Sequence, residues 1–171
     1  MKNLIKSFIV AVIVMASAGM ASAQKVGHIN LQELVSIMPD AKKANVDLDT
    51  LQSTLVREID LKTAEIKVKY DAYKDAMAKG TMLPSVQKSR EDELNTLQTS
   101  LQTFQYGAQD EMDKKRQELF KPIITKAQDA INSVAKEKGY TYVLDSSAGT
   151  ILFSTDSDDL MPLVKTKLNL K

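Results

Sequence analysis

Between Ala41 and Ile124 the chain carries only a thin apolar stripe, interrupted once by Lys79-Gly80-Thr81-Met82-Leu83-Pro84. Before the break, Leu48, Leu51, Leu55, Ile59, Lys62, Ile66, Tyr70, Tyr73 and Met77 follow spacings of 3, 4, 4, 3, 4, 4, 3, 4. After it, Leu97, Leu101, Phe104, Ala108, Met112, Lys115, Leu119 and Ile123 follow 4, 3, 4, 4, 3, 4, 4. Each stripe is an 11-residue repeat spoiled by a single lysine. Eleven residues in three turns is about 3.67 per turn, which predicts a straight or slightly right-handed pairing of helices. Two stripes of equal period on either side of a Gly and a Pro predict an antiparallel helical hairpin. Gly80 should follow the first helix and Pro84 should open the second. Helices of about 40 residues make an arm on the order of 60 Å long. Leu83 is a poor N-cap, so the tip (residues 79–84) is expected to be loose.

One apolar residue per turn suffices for one seam and leaves the rest of each helix in water. The seam residues closest to the tip are Tyr70, Tyr73 and Met77, with Met82 and Leu83 in the connection. On a helical wheel Val46, Leu61, Ala64 and Val68 fall opposite the first seam, and Tyr106 falls opposite the second. Scattered surface hydrophobes are ordinary. The functional alternative is a weak, dispersed apolar lining, interleaved with charges, that holds an unfolded chain without one tight pocket. These five residues are the candidate binding residues.

Near Leu119 the pattern changes. Phe120, Ile124, Ala127 and Ile131 form a second apolar line, which predicts that the helix enters a packed body there. Pro122 should kink or restart this helix, and Gly139 should end it, with lysines in the last turn. The body reads as residues 24–40 with 125–171, and the arm as 41–124. Val26, His28 and Ile29 belong to a short strand; Glu33 to Met38 give a turn or two of helix, and Pro39 starts or kinks the next. Tyr142, Val143 and Leu144 lie in a second strand, and Ile151, Leu152 and Phe153 read as its hairpin partner across a turn at Ser146–Thr150. Asp156, Ser157 or Asp158 should cap a last helix that has Pro162 in its first turns and Leu160, Val164 and Leu168 on one face. So few short elements bury little surface. Strands from several copies completing one sheet or barrel are the expected remedy. The fold class is therefore α+β and mostly helical.

Composition excludes several functions. The chain has 171 residues, no Cys, no Trp and a formal charge of +1. Lysine and arginine are matched by acids along its length, so no nucleic-acid footprint exists. Residues 1–23 read as a secretory signal: Lys2 and Lys6, an apolar run from Phe8 to Met20, then the small-residue site Ala21-Ser22-Ala23. Cleavage after Ala23 removes two lysines and no acids, taking the formal charge from +1 to −1. The run is too short and too weakly apolar for stable membrane insertion, and no Cys follows it to carry a lipid anchor. His28, the one histidine, lacks metal or catalytic partners and is read as structural. Asp156, Asp158 and Asp159 lack the glycine and terminal glutamate of a calcium loop. The sequence thus offers no catalytic, metal or cofactor site.

Several segments, in this order, resemble the Skp (OmpH-like) family of periplasmic chaperones. They are Val26-Gly27-His28-Ile29-Asn30, Met38-Pro39-Asp40-Ala41-Lys42 and Leu119-Phe120-Lys121-Pro122-Ile123. Further on come Ala130-Ile131 with Val134-Ala135, Gly139-Tyr140-Thr141-Tyr142-Val143-Leu144-Asp145, and Asp159-Leu160 with Val164. The resemblance spans essentially the whole mature chain. It departs at the uncapped tip and at Leu160-Met161-Pro162, where relatives more often have Ile-Thr. It implies a homotrimer whose short strands form a central barrel, with three helical arms around a cavity. It also implies ATP-independent holding of unfolded outer-membrane proteins in the periplasm, with no cofactor. Some relatives also contact lipopolysaccharide or the membrane surface through a basic patch, which cannot be matched here residue by residue. The rival expectation is a periplasmic coiled-coil adaptor that binds folded partners through the hairpin tip.

Overall fold

A computed structural model describes residues 24–149 and 151–170, the side chain of Ser157 apart. The leader expected at residues 1–23 lies outside them, as does Thr150. The chain divides into two compact units, Gln32–Asp129 and the residues up to Leu31 with Ala130–Asn169. In order the elements are β1 (Val26–Ile29), α1 (Leu31–Ile37), α2 (Pro39–Ala78), α3 (Pro84–Lys138), β2 (Tyr142–Asp145), a 3₁₀ turn (Asp156–Asp158) and α4 (Met161–Lys167).

The first unit is the hairpin. Pro39 starts α2 at a position where its missing N–H costs nothing. The helix runs 40 residues and ends at Lys79, and Gly80 follows with φ +65° while its N–H bonds the carbonyl of Met77 (3.0 Å). That backbone conformation is strained for any residue with a Cβ. The sequence places this break correctly. The second helix is longer than expected, at 55 residues or about 80 Å. It runs unbroken through Pro122, where the sequence predicts a kink or restart. Pro122 and Glu118 are both exposed, so the intrahelical bond that proline removes falls on the solvent side of the helix, where its loss costs least. Leu119 and Ile123 on either side stay packed in the seam.

Burial follows the predicted stripe on α3 through Leu97, Leu101, Phe104, Ala108, Met112, Lys115, Leu119 and Ile123. The α2 stripe holds as far as Ile66 and then departs from the 11-residue repeat. Tyr70 (51% exposed) and Met77 (41%) lie outside the seam, and Lys69, Tyr73 and Ala76 take the half-buried places. The cause is polar. Lys69 pairs with Glu93, and the Tyr73 hydroxyl donates to Glu91 (2.6 Å). Both bonds turn the 69/73/76 face toward α3, and the residues one step on rotate away by about 100°.

The two seam lysines are accommodated by their length. Lys62 lays its stem in the seam and sets its ammonium 5.3 Å from the centroid of the Phe104 ring. Lys115 reaches Glu118 at 3.3 Å.

In the second unit, β1 and β2 pair in parallel, Val26 opposite Tyr142 and Ile29 opposite Asp145. A parallel pair needs a crossover, and here the whole hairpin lies between the strands in sequence. Gly139 (φ +71°) ends α3 as expected. Its N–H bonds the Lys136 carbonyl and the Tyr140 N–H bonds the Ala135 carbonyl (2.9 Å), which is a Schellman motif. Gly27 is required by space: a Cβ there would meet Leu160 Cδ1 at 2.3 Å and the Tyr140 ring at 2.8 Å. Ile29, Ala130, Val134, Leu160, Met161 and Val164 are the buried apolar groups of this unit.

Two expectations for this unit are corrected. Ile151, Leu152 and Phe153 form no strand, and β2 has only β1 beside it among the described residues. Leu152 and Phe153 are 97% and 85% exposed, so a single copy gives this segment nothing to pack on. The last helix is capped by Asp159 rather than by Asp156 or Asp158. Residues 156–158 are taken up in the 3₁₀ turn, Asp158 accepts the Thr155 hydroxyl (2.8 Å), and Asp159 accepts the Met161 N–H (2.8 Å).

Candidate functional site

The hairpin offers two kinds of surface outside its seam. The first is the outward apolar line. The structure leaves Val46 (62%), Leu61 (58%), Val68 (69%) and Tyr106 (71%) largely in water, and Ala64 is also exposed. They stay out because the seam uses other faces of both helices, the 11-residue stripe as far as Ile66 and the face of Lys69, Tyr73 and Ala76 beyond it. Val56, Leu83 and Val86 are exposed as well. These groups do not converge on a point. They are dispersed along both helices.

The second surface was not legible as a site in the sequence. On one flank of the hairpin a cavity of about 780 Å³ opens between Leu48 on α2 and Met112, Phe120 and Ile124 on α3. Phe120 is half-buried and Ile124 stays 36% exposed, whereas Ala127 is fully buried, so the second apolar line of α3 is open at Phe120 and Ile124. A smaller cavity of about 310 Å³ lies between Leu55, Val56 and Ile59 and Ala108 and Met112. Gln52, Met112 and Arg116 line both cavities. The opposite flank has a distinct surface, lined by Lys43, Asp47 and Lys126 among others, and there Lys126 pairs with Asp40 (2.8 Å).

Near the tip the seam is polar. Glu91 accepts hydrogen bonds from the Tyr73 hydroxyl and from the Gln87 amide (2.9 Å). These two bonds hold the Glu91 carboxyl below the ordinary glutamate value, and the same bond with Glu91 raises the Tyr73 phenol. In the second unit, burial raises the Asp145 carboxyl. Hydrogen bonds from Ser147 and from the Leu31 N–H outweigh that and leave it lowered. This carboxylate therefore ties the end of β2 to the start of α1.

His28 sits in β1 with its Nε2 3.4 Å from the Thr155 carbonyl and its own carbonyl accepting the Leu160 N–H (2.9 Å). These are structural contacts. The described residues contain no group of three or more His, Cys, Asp or Glu side chains able to hold a metal ion. Val26 (40%), Tyr142 (56%) and Leu144 (48%) of the strands are exposed although apolar, and Val143 is half-buried.

The described residues thus form a slender helical hairpin and a two-stranded parallel sheet, each with apolar side chains left in water. The chain belongs to the family described as outer membrane protein (OmpH-like), which matches residues 25–168. It is 29% identical over 157 residues to the chaperone protein Skp of Vibrio cholerae serotype O1, covering 86% of this chain and 89% of that protein. Its fold is also that of a crystal structure from Caulobacter crescentus CB15 described as an OmpH-like outer membrane chaperone. That match has a TM-score of 0.71 at 15% identity and covers 86% of this chain and 85% of the other.

Proposed function

We propose that this chain is a periplasmic, ATP-independent holdase that binds unfolded outer-membrane β-barrel proteins and keeps them from aggregating in transit. The observation that carries this reading is the apolar line Val46, Leu61, Val68 and Tyr106, each more than half exposed on a hairpin that gains nothing from it. The matched Skp protein is named as a chaperone, which favours holding over a tip-binding adaptor. No described helix is long and apolar enough to cross a membrane. Residues 1–23 act in this reading as a cleaved signal.

The working unit is proposed to be a homotrimer. Leu152 and Phe153, almost entirely in water, together with the exposed Val26, Tyr142 and Leu144, are the surface that further copies would cover. His28, Ile29 and Val143 complete the strand segments of that shared sheet. Three arms then act together, so individually weak apolar contacts sum to useful retention. The mechanism uses no cofactor and no catalytic residue.

The test dilutes a urea-unfolded outer-membrane barrel protein into buffer with stoichiometric trimer and follows light scattering. The reading predicts suppressed scattering, and suppression weakened by joint substitution Val46→Ser, Leu61→Ser, Val68→Ser and Tyr106→Ser. Scattering that rises as fast with the wild-type protein as without it would sink the proposal.

A further inference from the structure

The two cavities on one flank of the hairpin share Gln52, Met112 and Arg116, so together they form one furrow. It extends along α3 from Gln105 to Gln128, on the order of 35 Å at 1.5 Å per residue. Its floor is apolar: Leu48, Leu55, Met112, Phe120 and Ile124. Its rim is built from side-chain amides, Asn45 and Gln52 on α2 and Gln105, Gln109, Gln117 and Gln128 on α3. All six are exposed. Only Gln109 is engaged in the hairpin, donating to Asp113 at 3.3 Å. An amide is the one side chain that carries the same donor and acceptor as a peptide group.

From this pairing we infer that the furrow is a seat for one extended polypeptide segment, its backbone read by the amide rim and its side chains by the apolar floor. An extended chain advances about 3.4 Å per residue, so 35 Å accommodates roughly ten residues. Alternate side chains of such a segment face one way, and these meet the floor. The others face water. A strand of a β-barrel membrane protein has this alternation, and backbone contacts make the seat indifferent to its detailed sequence. The cations Arg116 and Lys121 are balanced by the acids Asp49 and Asp113, so the seat imposes no strong charge filter. The opposite flank, lined by Asp40, Lys43, Asp47 and Lys126 with apolar Leu119 and Ile123, has as many charges but no side-chain amide and serves as the internal control. This inference rests on the holdase reading and adds to it a defined seat, distinct from the outward line of Val46, Leu61, Val68 and Tyr106.

The chain contains no cysteine, so single substitutions place a probe without background. Gln117→Cys in the furrow and Lys43→Cys on the opposite flank, each carrying a benzophenone, are irradiated in the full mature protein with a urea-unfolded barrel protein. Crosslinking to client from position 117 should exceed that from position 43 at least fivefold. The isosteric set Gln52→Glu, Gln105→Glu and Gln117→Glu removes the amide donors and keeps the shape. It should weaken client affinity about tenfold, with the thermal unfolding midpoint unchanged. Equal crosslinking from both flanks, or full affinity in the glutamate set, overturns the seat while leaving suppression of aggregation, and so the holdase reading, intact. Crosslinks from position 117 only to a second copy of this chain would also overturn it, by showing that the furrow is an interface between copies. A wild-type protein that fails to suppress aggregation removes the parent reading instead.

Discussion

The half of the hairpin away from the tip and the half next to it are built from the same two helices and held together by different physics. In the first half Ala41, Ala44, Leu48 and Leu55 on α2 and Ala108, Ile123 and Ala127 on α3 are buried. In the second, Leu94 alone is buried among residues 56–107. Its seam is otherwise only half-buried, through residues such as Ile66, Leu97 and Leu101, and is supplemented by the Tyr73–Glu91–Gln87 cluster and the Lys69–Glu93 pair. Apolar burial does not depend on a titrating group, whereas exposed ion pairs contribute little net stability and are screened by salt. A hairpin built this way should open more readily next to the tip than away from it.

The largest effect should come from the seam far from the tip. Leu48→Ala should destabilise the protein by about 2–4 kcal/mol in urea unfolding, as is usual for a buried leucine. Ile66→Ala, at a half-buried place in the outer half, should cost about 1 kcal/mol or less. Equal costs would break the comparison. Next in size, Lys62→Leu should stabilise the outer half by about 1 kcal/mol, since it replaces a charged head by apolar surface. A loss of stability would show instead that the contact with Phe104 matters more than burial. A smaller and local effect is expected from Tyr73→Phe. Amide exchange between residues 66 and 97 should speed up, and exchange at residues 41–55 and 108–127 should stay as it was.

The smallest effect is that of pH. Glu91 has its folded carboxyl below the ordinary value of 4.5, because the Tyr73 hydroxyl bonds its charged form. A lowered carboxyl contributes stability above the unfolded value, and loses it as pH falls through the folded one. Acidification below pH 4.5 should therefore loosen the tip half before the other. Glu137, lowered by its bonds to Lys167 and Ser133, should release α4 over a similar range. Amide exchange measured at two pH values separates these events.

Much of the hairpin was legible because a helix exposes its seam as a period. Gly80, Pro84 and Gly139 marked its ends through backbone conformation alone. The outer seam was misread at Tyr70 and Met77 because apolarity was counted there, while hydrogen bonds from Lys69 and Tyr73 set the facing. Ile151, Leu152 and Phe153 read as a strand from composition, but strand formation needs a partner, and one copy supplies none. The outward residues Val46, Leu61, Ala64, Val68 and Tyr106 were placed on the free face by the same wheel that found the seam. The furrow escaped because its signal is amides rather than apolar or charged residues. The recurrence of Gln105, Gln109, Gln117 and Gln128 along one helix was its available trace.

The most direct measurement is amide hydrogen exchange along the mature chain, alone and with a stoichiometric unfolded outer-membrane barrel protein. The account predicts fast exchange between residues 56 and 93 in the free protein and slow exchange at residues 41–55 and 108–127. Client should slow the outer half several-fold as its arms close on it. Uniform exchange along the hairpin, unchanged by client, would contradict both the easier opening next to the tip and the holding of an unfolded chain.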